Sequence, residues 1–206
     1  MNTTRRAALL TLALTAGILG ATTPALAAAP SGSAIPAVPL SCDGNTIAPG
    51  AEIHYRTETM IKAPLDTVWN LQTDVAQWPS WQQPVTSMQR LDAGPLRPGS
   101  QFRWTTPAPA TAASPATTLV ITSTVQQLRD RQCLRWTGPA IGEGARIDLG
   151  THVWNFTAVE GGTLVRTEES WNGPQVEADV PASTALLGGG LEAWLADLRT
   201  AAEAQG

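Results

Sequence analysis

The sequence predicts an α+β domain with a mainly β middle and a long helix near its C-terminal end. Between residues 52 and 171, apolar side chains recur at every second position in seven segments, which is typical of strands. Between residues 182 and 204 they recur at three- and four-residue spacings, which predicts a helix. Gly188-Gly189-Gly190 lies inside the helical pattern. The helix is therefore either broken there or packed closely against another part of the chain.

The first strand and two short helices begin the domain. Residues 52–62 alternate between a mainly apolar face and a polar face that carries His54, so we expect His54 to face solvent. A helix opens at Pro64, because proline is tolerated in the first helical turn. Residues 75–81 are expected to form a second short helix or turn, which Pro79 breaks.

The middle of the chain alternates strands with turns. Strands are predicted at 85–91, 100–105, 118–127, 132–137 and 146–156. Between the second and third of these, residues 106–117 are rich in Pro and Ala, and we expect a long flexible loop. In the last strand the apolar positions change from odd to even numbers at Gly150. This change predicts a β-bulge two residues before His152.

A β-hairpin is predicted where two strand-like arms flank Glu160-Gly161-Gly162. Because side chains alternate along a strand, His152 and Glu169 fall on the face that carries the apolar side chains of both arms. Two registers satisfy this constraint. One pairs His152 with Glu169, and the other pairs His152 with Trp171 and Trp154 with Glu169. Both allow contact between the imidazole and the carboxylate.

The composition argues against several classes of function. The net charge is −4 without a basic run, so nucleic-acid binding is disfavoured. With only two histidines, on different predicted strands, we expect no metal site. No phosphate loop, nicotinamide fingerprint or Ser-His-Asp order is visible, and we expect no cofactor. Eight tryptophans suit the walls of a cavity for flat, greasy ligands, although they could equally form a core.

The N-terminal region predicts export. Residues 1–27 combine Arg5-Arg6, an apolar run and the cleavage pattern Ala25-Leu26-Ala27, which is typical of a signal peptide. The apolar run is too short for an integral membrane span. The paired arginines permit the general secretory route or the twin-arginine route. Residues 28–50 then form a Pro/Ala-rich extension, and 51–206 form the folded domain.

Several short motifs share their order and spacing with one known superfamily. They are Ile61-Lys62-Ala63-Pro64 with Val68-Trp69, Asp74 with Trp78-Pro79 and Trp81, and His152 to Trp154 with Gly161-Gly162-Thr163 and Thr167-Glu168-Glu169. Together they resemble the START, birch-pollen-allergen and polyketide-cyclase superfamily (SRPBCC), in its polyketide cyclase/dehydrase-like branch. The resemblance implies a helix-grip fold. In that fold a curved antiparallel sheet of about seven strands wraps around the C-terminal helix and encloses a cavity.

The resemblance also implies a ligand and a site. The ligand is a hydrophobic small molecule, polyketide-like or polycyclic. The residues expected to contact it are Phe102, Trp104, Trp136, Trp154, Phe156, Thr167 and Trp171. His152 and Glu169 are the candidate catalytic pair, because acid–base groups near neutrality could promote cyclisation or dehydration. The alternative is a non-catalytic lipid or small-molecule carrier, in which the two side chains form a satisfied buried pair.

The face opposite the cavity carries Cys133, Arg135 and Glu168, and we expect the two charged side chains to be solvated. An even number of cysteines in an exported protein permits one disulfide, between Cys42 and Cys133, although two free thiols remain the alternative. Residues 42–51 could reach about 30 Å when extended. The extension could therefore cross the convex face of the sheet, held by the disulfide.

Overall fold

The computed structural model describes residues 40–111 and 114–205. The predicted signal peptide at 1–27 and the first part of the predicted extension lie outside the described residues. The remaining part of the extension, residues 40–50, is described together with the folded domain.

One curved antiparallel sheet of seven strands and a long C-terminal helix make up the fold, as predicted. The strand order is β1-β7-β6-β5-β4-β3-β2. The strands are β1 (Ile53–Ile61), β2 (Ser87–Arg90), β3 (Gln101–Ala108), β4 (Thr117–Arg129), β5 (Cys133–Gly142), β6 (Ala145–Val159) and β7 (Gly162–Asn172). The helices are α1 (Leu65–Thr73), α2 (Trp78–Trp81), α3 (Pro174–Glu177) and α4 (Val180–Glu203), and a 3-10 turn (Val75–Gln77) precedes α2.

The core lies between the concave face of the sheet and the helices α1, α2 and α4. Trp78, which is fully buried, is its centre. Its ring meets those of Phe102, Trp104 and Trp194 edge-on, at centroid distances of 5.4, 5.9 and 4.8 Å. Edge-to-face contacts of this kind are favourable for aromatic rings. The cluster joins α2, β3 and α4 into one packed unit.

Two local predictions were wrong. β3 and β4 stay paired as far as Ala108 and Thr117, so the Pro/Ala-rich connection is shorter than residues 106–117. Pro107 is tolerated inside β3 because β2 pairs only with Phe102–Thr105, which leaves the end of β3 as an edge. Pro79 stands in the first turn of α2, where proline is accepted, and so it does not break that helix.

The predicted bulge is present in β6. Gly138 of β5 pairs with Gly150, whereas Ala140 pairs with Ile147, so β6 has one extra residue between these two pairs. The bulge changes the phase of the strand before His152, which then points to the concave side.

Helix α4 runs unbroken through its three glycines. A Cβ atom on Gly188 would lie 2.8 Å from the ring of Tyr55 on β1. The Tyr55 hydroxyl donates a hydrogen bond of 2.5 Å to Glu192 on the same helix. The prediction of close packing, rather than of a broken helix, is therefore confirmed: Gly188 lets the helix pack closely against the first strand.

Residues 40–51 lie along the outer face of β5, β6 and β7. Glu168 accepts a hydrogen bond from the Leu40 backbone N–H at 2.9 Å, and Arg135 donates one to the Thr46 carbonyl at 2.8 Å. Cys42 and Cys133 form a disulfide in the structure, with a Cα–Cα distance of 5.4 Å. The expectation that Arg135 and Glu168 are solvated was wrong, because this segment covers them. Glu168 is only 8% exposed.

Substitution of the helical glycines should separate close packing from helix propensity. Gly189→Ala should raise the free energy of unfolding by about 1 kcal/mol, because alanine favours the helix and its Cβ would meet nothing within 4 Å. Gly188→Ala should lower the free energy of unfolding by about 1–3 kcal/mol, through overlap with Tyr55. Urea unfolding measures both values. Equal increases in the free energy of unfolding at the two positions would show that close packing does not require a glycine at position 188.

Loss of the disulfide should destabilise the domain. A variant with Cys42→Ser and Cys133→Ser should lose about 2–5 kcal/mol of unfolding free energy, because the bond restricts the unfolded chain. Intact mass under non-reducing conditions should be two hydrogens below that of the reduced protein. Reductant should destabilise the wild type and leave the double variant unchanged. A wild type whose stability is insensitive to reductant would contradict the role of the bond.

Candidate functional site

A cavity of about 960 Å³ lies between the concave face of the sheet and α4. This volume is at the upper end of the range typical of small-molecule sites, roughly 300–1,000 Å³. Four tryptophans contribute to its walls: Trp104, Trp136, Trp171 and Trp194. Arg146, Asp179 and Leu186 also line it and are exposed, so they mark its opening at the start of α4.

The structure brings five of the nine predicted site residues to the cavity. They are Trp104, Trp136, His152, Glu169 and Trp171. The other four, Phe102, Trp154, Phe156 and Thr167, share the concave face but do not line the cavity. Their assignment as ligand contacts is therefore corrected.

The packing of the short helices explains why these residues do not line the cavity. Trp69 of α1 meets Phe156 edge-on at 5.3 Å, and Trp78 of α2 meets Phe102 at 5.4 Å. The short helices thus fill one half of the concave face with solid core and leave the other half open. Thr167 is fully buried, and its hydroxyl bonds to His152 instead of facing the cavity.

Several lining residues were not predicted from the sequence. Residues 106–109 with Thr111 and Ser114 form one wall, and Val176 with the first turns of α4 forms another. The Pro/Ala-rich composition of 106–117 was the only signal for the first wall. Gln82, which follows α2, also lines the cavity and had no signal of its own.

The register of β6 and β7 places His152 directly opposite Glu169, the first of the two predicted registers. The His152 Nδ1 and Glu169 Oε2 atoms are 3.1 Å apart. On its other side, His152 Nε2 lies 2.7 Å from the Thr167 hydroxyl. Trp171 Nε1 donates to Glu169 Oε1 at 2.9 Å. Both ring nitrogens and both carboxylate oxygens therefore have protein partners.

The two side chains differ in their access to the cavity. The His152 side chain is 5% exposed, whereas that of Glu169 is 19% exposed. The imidazole is held between the rings of Trp136 and Trp154, each at a centroid distance of 4.8 Å. Gly150 lies beside the carboxyl group: a Cβ there would be in ordinary contact with Glu169 Oε1, at 3.4 Å. The carboxyl group can therefore meet a ligand, while the imidazole lies behind it.

Burial shifts both pKa values toward the neutral forms. Desolvation lowers the pKa of His152 to about 3. Desolvation also raises the pKa of Glu169 to about 7, although the hydrogen bond from Trp171 opposes this change. A neutral imidazole beside a protonated carboxyl group is thus the form that the site favours near and below neutral pH.

Within residues 40–111 and 114–205, no group of three or more His, Cys, Asp or Glu side chains could hold a metal ion. None of the helices in these ranges is long and apolar enough to cross a membrane.

Solved structures share this fold. A START superfamily protein from Mycobacterium smegmatis has a TM-score of 0.56 at 13% identity, covering 74% of this chain and 99% of that chain. A protein from Thermus thermophilus has a TM-score of 0.57 at 19% identity, with coverage of 74% and 99%. DynU16, from the dynemicin biosynthetic locus, has a TM-score of 0.51 at 18% identity, covering 71% of this chain and 46% of that chain.

No curated protein matches the chain. A family model does match: it describes polyketide cyclase / dehydrase and lipid transport proteins and covers residues 52–203. That range contains every strand of the sheet and the helices α1 to α4, while the segment at 40–51, with Cys42, precedes it. By this match the chain belongs to the polyketide cyclase / dehydrase and lipid transport family.

Proposed function

We propose that the protein binds a hydrophobic, polyketide-like or polycyclic molecule in the cavity and catalyses its cyclisation or dehydration. Glu169 exchanges protons with the ligand, and His152 positions Glu169. One observation carries the proposal: a carboxyl group with a raised pKa faces a largely apolar cavity while a buried imidazole contacts its other side. The family and the aromatic walls support the class of ligand.

The hydrogen bonds around the pair indicate where the proton lies. The Thr167 hydroxyl has one proton, which it donates to the Val153 carbonyl at 3.2 Å. It therefore accepts from His152, and we assign the imidazole proton to Nε2. The lone pair of Nδ1 then faces Glu169 Oε2, so the shared proton is on the carboxyl group. This assignment agrees with the directions of both pKa shifts.

A carboxyl group that titrates near pH 7 is present in both forms at neutral pH, as a general acid–base requires. In the dehydration of a β-hydroxyketone, the carboxylate of Glu169 removes the proton beside the carbonyl. The enolate then expels the hydroxyl group, which takes that same proton from Glu169 and leaves as water. The carboxylate is restored, and the ligand becomes an enone. His152 stays neutral and is a positioning residue.

A specific observation favours a second function, that of a non-catalytic carrier. His152 is almost fully buried, and both of its ring nitrogens are engaged by the protein. The pair could then be a satisfied polar element of the wall, with Glu169 as an anchor for a polar group of the cargo. Measurements of binding and of turnover distinguish the two functions.

We also propose that the protein is exported. The signal-like segment at 1–27 supports this proposal. So does the pairing of Cys42 with Cys133, because disulfides persist mainly in oxidising compartments.

Turnover should depend on Glu169 more strongly than binding does. With a β-hydroxytetralone as substrate, loss of water gives a fluorescent naphthol. Glu169→Gln should lower this rate about 100- to 10,000-fold and leave the binding of anthracene, an apolar probe, nearly unchanged. His152→Ala should also bind anthracene, turn over more slowly, and shift its pH profile downward because the acid form of Glu169 loses an acceptor.

The control for this experiment is Glu160→Gln, a change in the exposed hairpin turn, which should leave both measurements unchanged. If Glu169→Gln and His152→Ala turn over as fast as the wild type, catalysis by the pair is wrong. Anthracene binding without any turnover in the wild type would favour the carrier.

The pair should also set a pH dependence of stability. The raised pKa of Glu169 gives stability that is fully present below pH 4.5 and lost as the pH rises to about 7. The lowered pKa of His152 gives stability that is present above pH 6.5 and lost as the pH falls toward about 3. Between these ordinary pKa values of 4.5 and 6.5 the two slopes cancel, because the folded and unfolded pairs each hold one proton.

Glu169→Gln should remove this cancellation. Relative to the wild type, its free energy of unfolding should fall by about 1.4 kcal/mol per pH unit as the pH falls through that range. Urea titrations at several pH values measure the difference, and Glu160→Gln should run parallel to the wild type. If the free energy of unfolding of Glu169→Gln depends on pH as that of the wild type does, His152 and Glu169 are not both neutral in the folded protein.

A further inference from the structure

We propose that Gln82 is a second hydrogen-bonding site in the cavity and binds a neutral polar group of the ligand. The inference rests on the proposed function, since it assigns another contact in the same cavity. The ligand would then have an apolar body and two separated hydrogen-bonding groups, one that meets Glu169 and one that meets Gln82.

The backbone of Gln82 is fixed at the end of α2. Its N–H donates to the Trp78 carbonyl at 2.7 Å, and its carbonyl accepts from the Val85 N–H at 3.0 Å. Gln82 is 1% exposed, and it lines the cavity. The main chain is therefore engaged, and the side-chain amide is the part of Gln82 whose hydrogen-bonding capacity is unused among the described residues.

That amide has no hydrogen-bond partner in the part of the chain that the structure describes. Neither Nε2 nor Oε1 of Gln82 has a hydrogen bond to any described residue. Two of the tryptophans that line the cavity have their ring N–H engaged elsewhere: Trp104 Nε1 donates to Ser123, and Trp194 Nε1 donates to Gln72. Trp81 Nε1, in the residue before Gln82, is also without a partner among the described residues. A buried amide without a partner costs free energy, and such exceptions call for an explanation.

The chemistry of the amide selects the ligand group. Two donors and one acceptor side by side, without charge, match a neutral group that both donates and accepts, such as a carboxamide or a hydroxyl. The charged side chains that line the cavity near its opening, Arg146 and Asp179, are exposed. Pro84, Trp104 and Trp194, which also line the cavity, carry no charge.

The distance between the two polar positions, Gln82 and Glu169, can be estimated along helix α4. Gln82 follows Trp81, whose ring meets that of Trp194 at 6.4 Å. Near Glu169, Trp171 packs against a cluster of buried residues that includes Leu187 of α4. Leu187 and Trp194 are seven positions apart on α4, which is about 10 Å along a helix. This spacing suits a ligand of several fused rings with a polar group at each end.

The experiment compares anthracene with anthracene carboxamide, by fluorescence titration of the full chain. The measured quantity is the preference ratio, the dissociation constant of anthracene divided by that of the carboxamide. Gln82→Leu should reduce this ratio about 5- to 10-fold, the effect of one neutral hydrogen bond. Gln83→Leu changes the adjacent, exposed glutamine and should leave the ratio unchanged.

Melting temperature gives a second measurement. Without ligand, Gln82→Leu and Gln82→Met should melt no lower than the wild type, because each removes a buried amide that no described residue hydrogen-bonds. If both variants fail to fold or melt clearly lower, the amide has a structural role and the inference is overturned.

The remaining outcomes separate this inference from the proposed function. If the wild type binds neither probe, the proposed function fails and this inference fails with it. If the wild type binds both probes and Gln82→Leu keeps the ratio, only this inference is overturned. If Glu169→Gln changes the ratio and Gln82→Leu does not, the carboxamide binds at Glu169, which also overturns the inference.

Discussion

The pairing of β6 with β7 is the constraint on which the site depends. It places His152 directly opposite Glu169, so both side chains point to the same, concave face of the sheet. A slip of one residue would turn every side chain of a strand to the other face. The tight turn at Gly161, with φ of 82°, helps to fix this register.

Aromatic packing then divides the concave face. The cluster around Trp78 holds α2 against β3 and α4, so one half of the face becomes a dry core. The other half is covered less closely, by the loop after β3 and by the start of α4, and it stays open as the cavity. The same cluster places Gln82, at the end of α2, on the boundary between the two halves. Core packing and ligand contact are therefore linked through one short helix.

The sequence was sufficient for the side of the sheet on which each residue lies. Alternation placed Phe102, Trp104 and Trp136 on the concave face, and glycine and polar residues marked the hairpin. Alternation cannot tell what covers a face. Phe102 is sealed by Trp78 and Trp104 lines the cavity, although they are two residues apart on one strand. Glu168 was misjudged for the same reason, since its cover comes from a segment more than a hundred residues away.

Gln82 shows another limit of sequence patterns. Its significance depends on a buried amide that has no partner among residues 40–111 and 114–205. The folded arrangement of the chain determines this, and a sequence pattern does not. A single glutamine after a short helix has no period, motif or charge to set it apart. The His152–Glu169 pair could be found earlier because strand alternation predicts which side chains share a face.

Neutrality is the property that the two polar positions share. Gln82 has no charge, and the hydrogen bonds from Val153 to Trp171 give a consistent network with His152 and Glu169 both neutral. A neutral wall costs less to desolvate than an ion pair when a greasy ligand displaces water. Burial of the exposed fifth of Glu169 by such a ligand would favour its protonated form further. A higher pKa also means a more basic carboxylate, so binding would strengthen Glu169 for the proton abstraction with which the proposed dehydration begins.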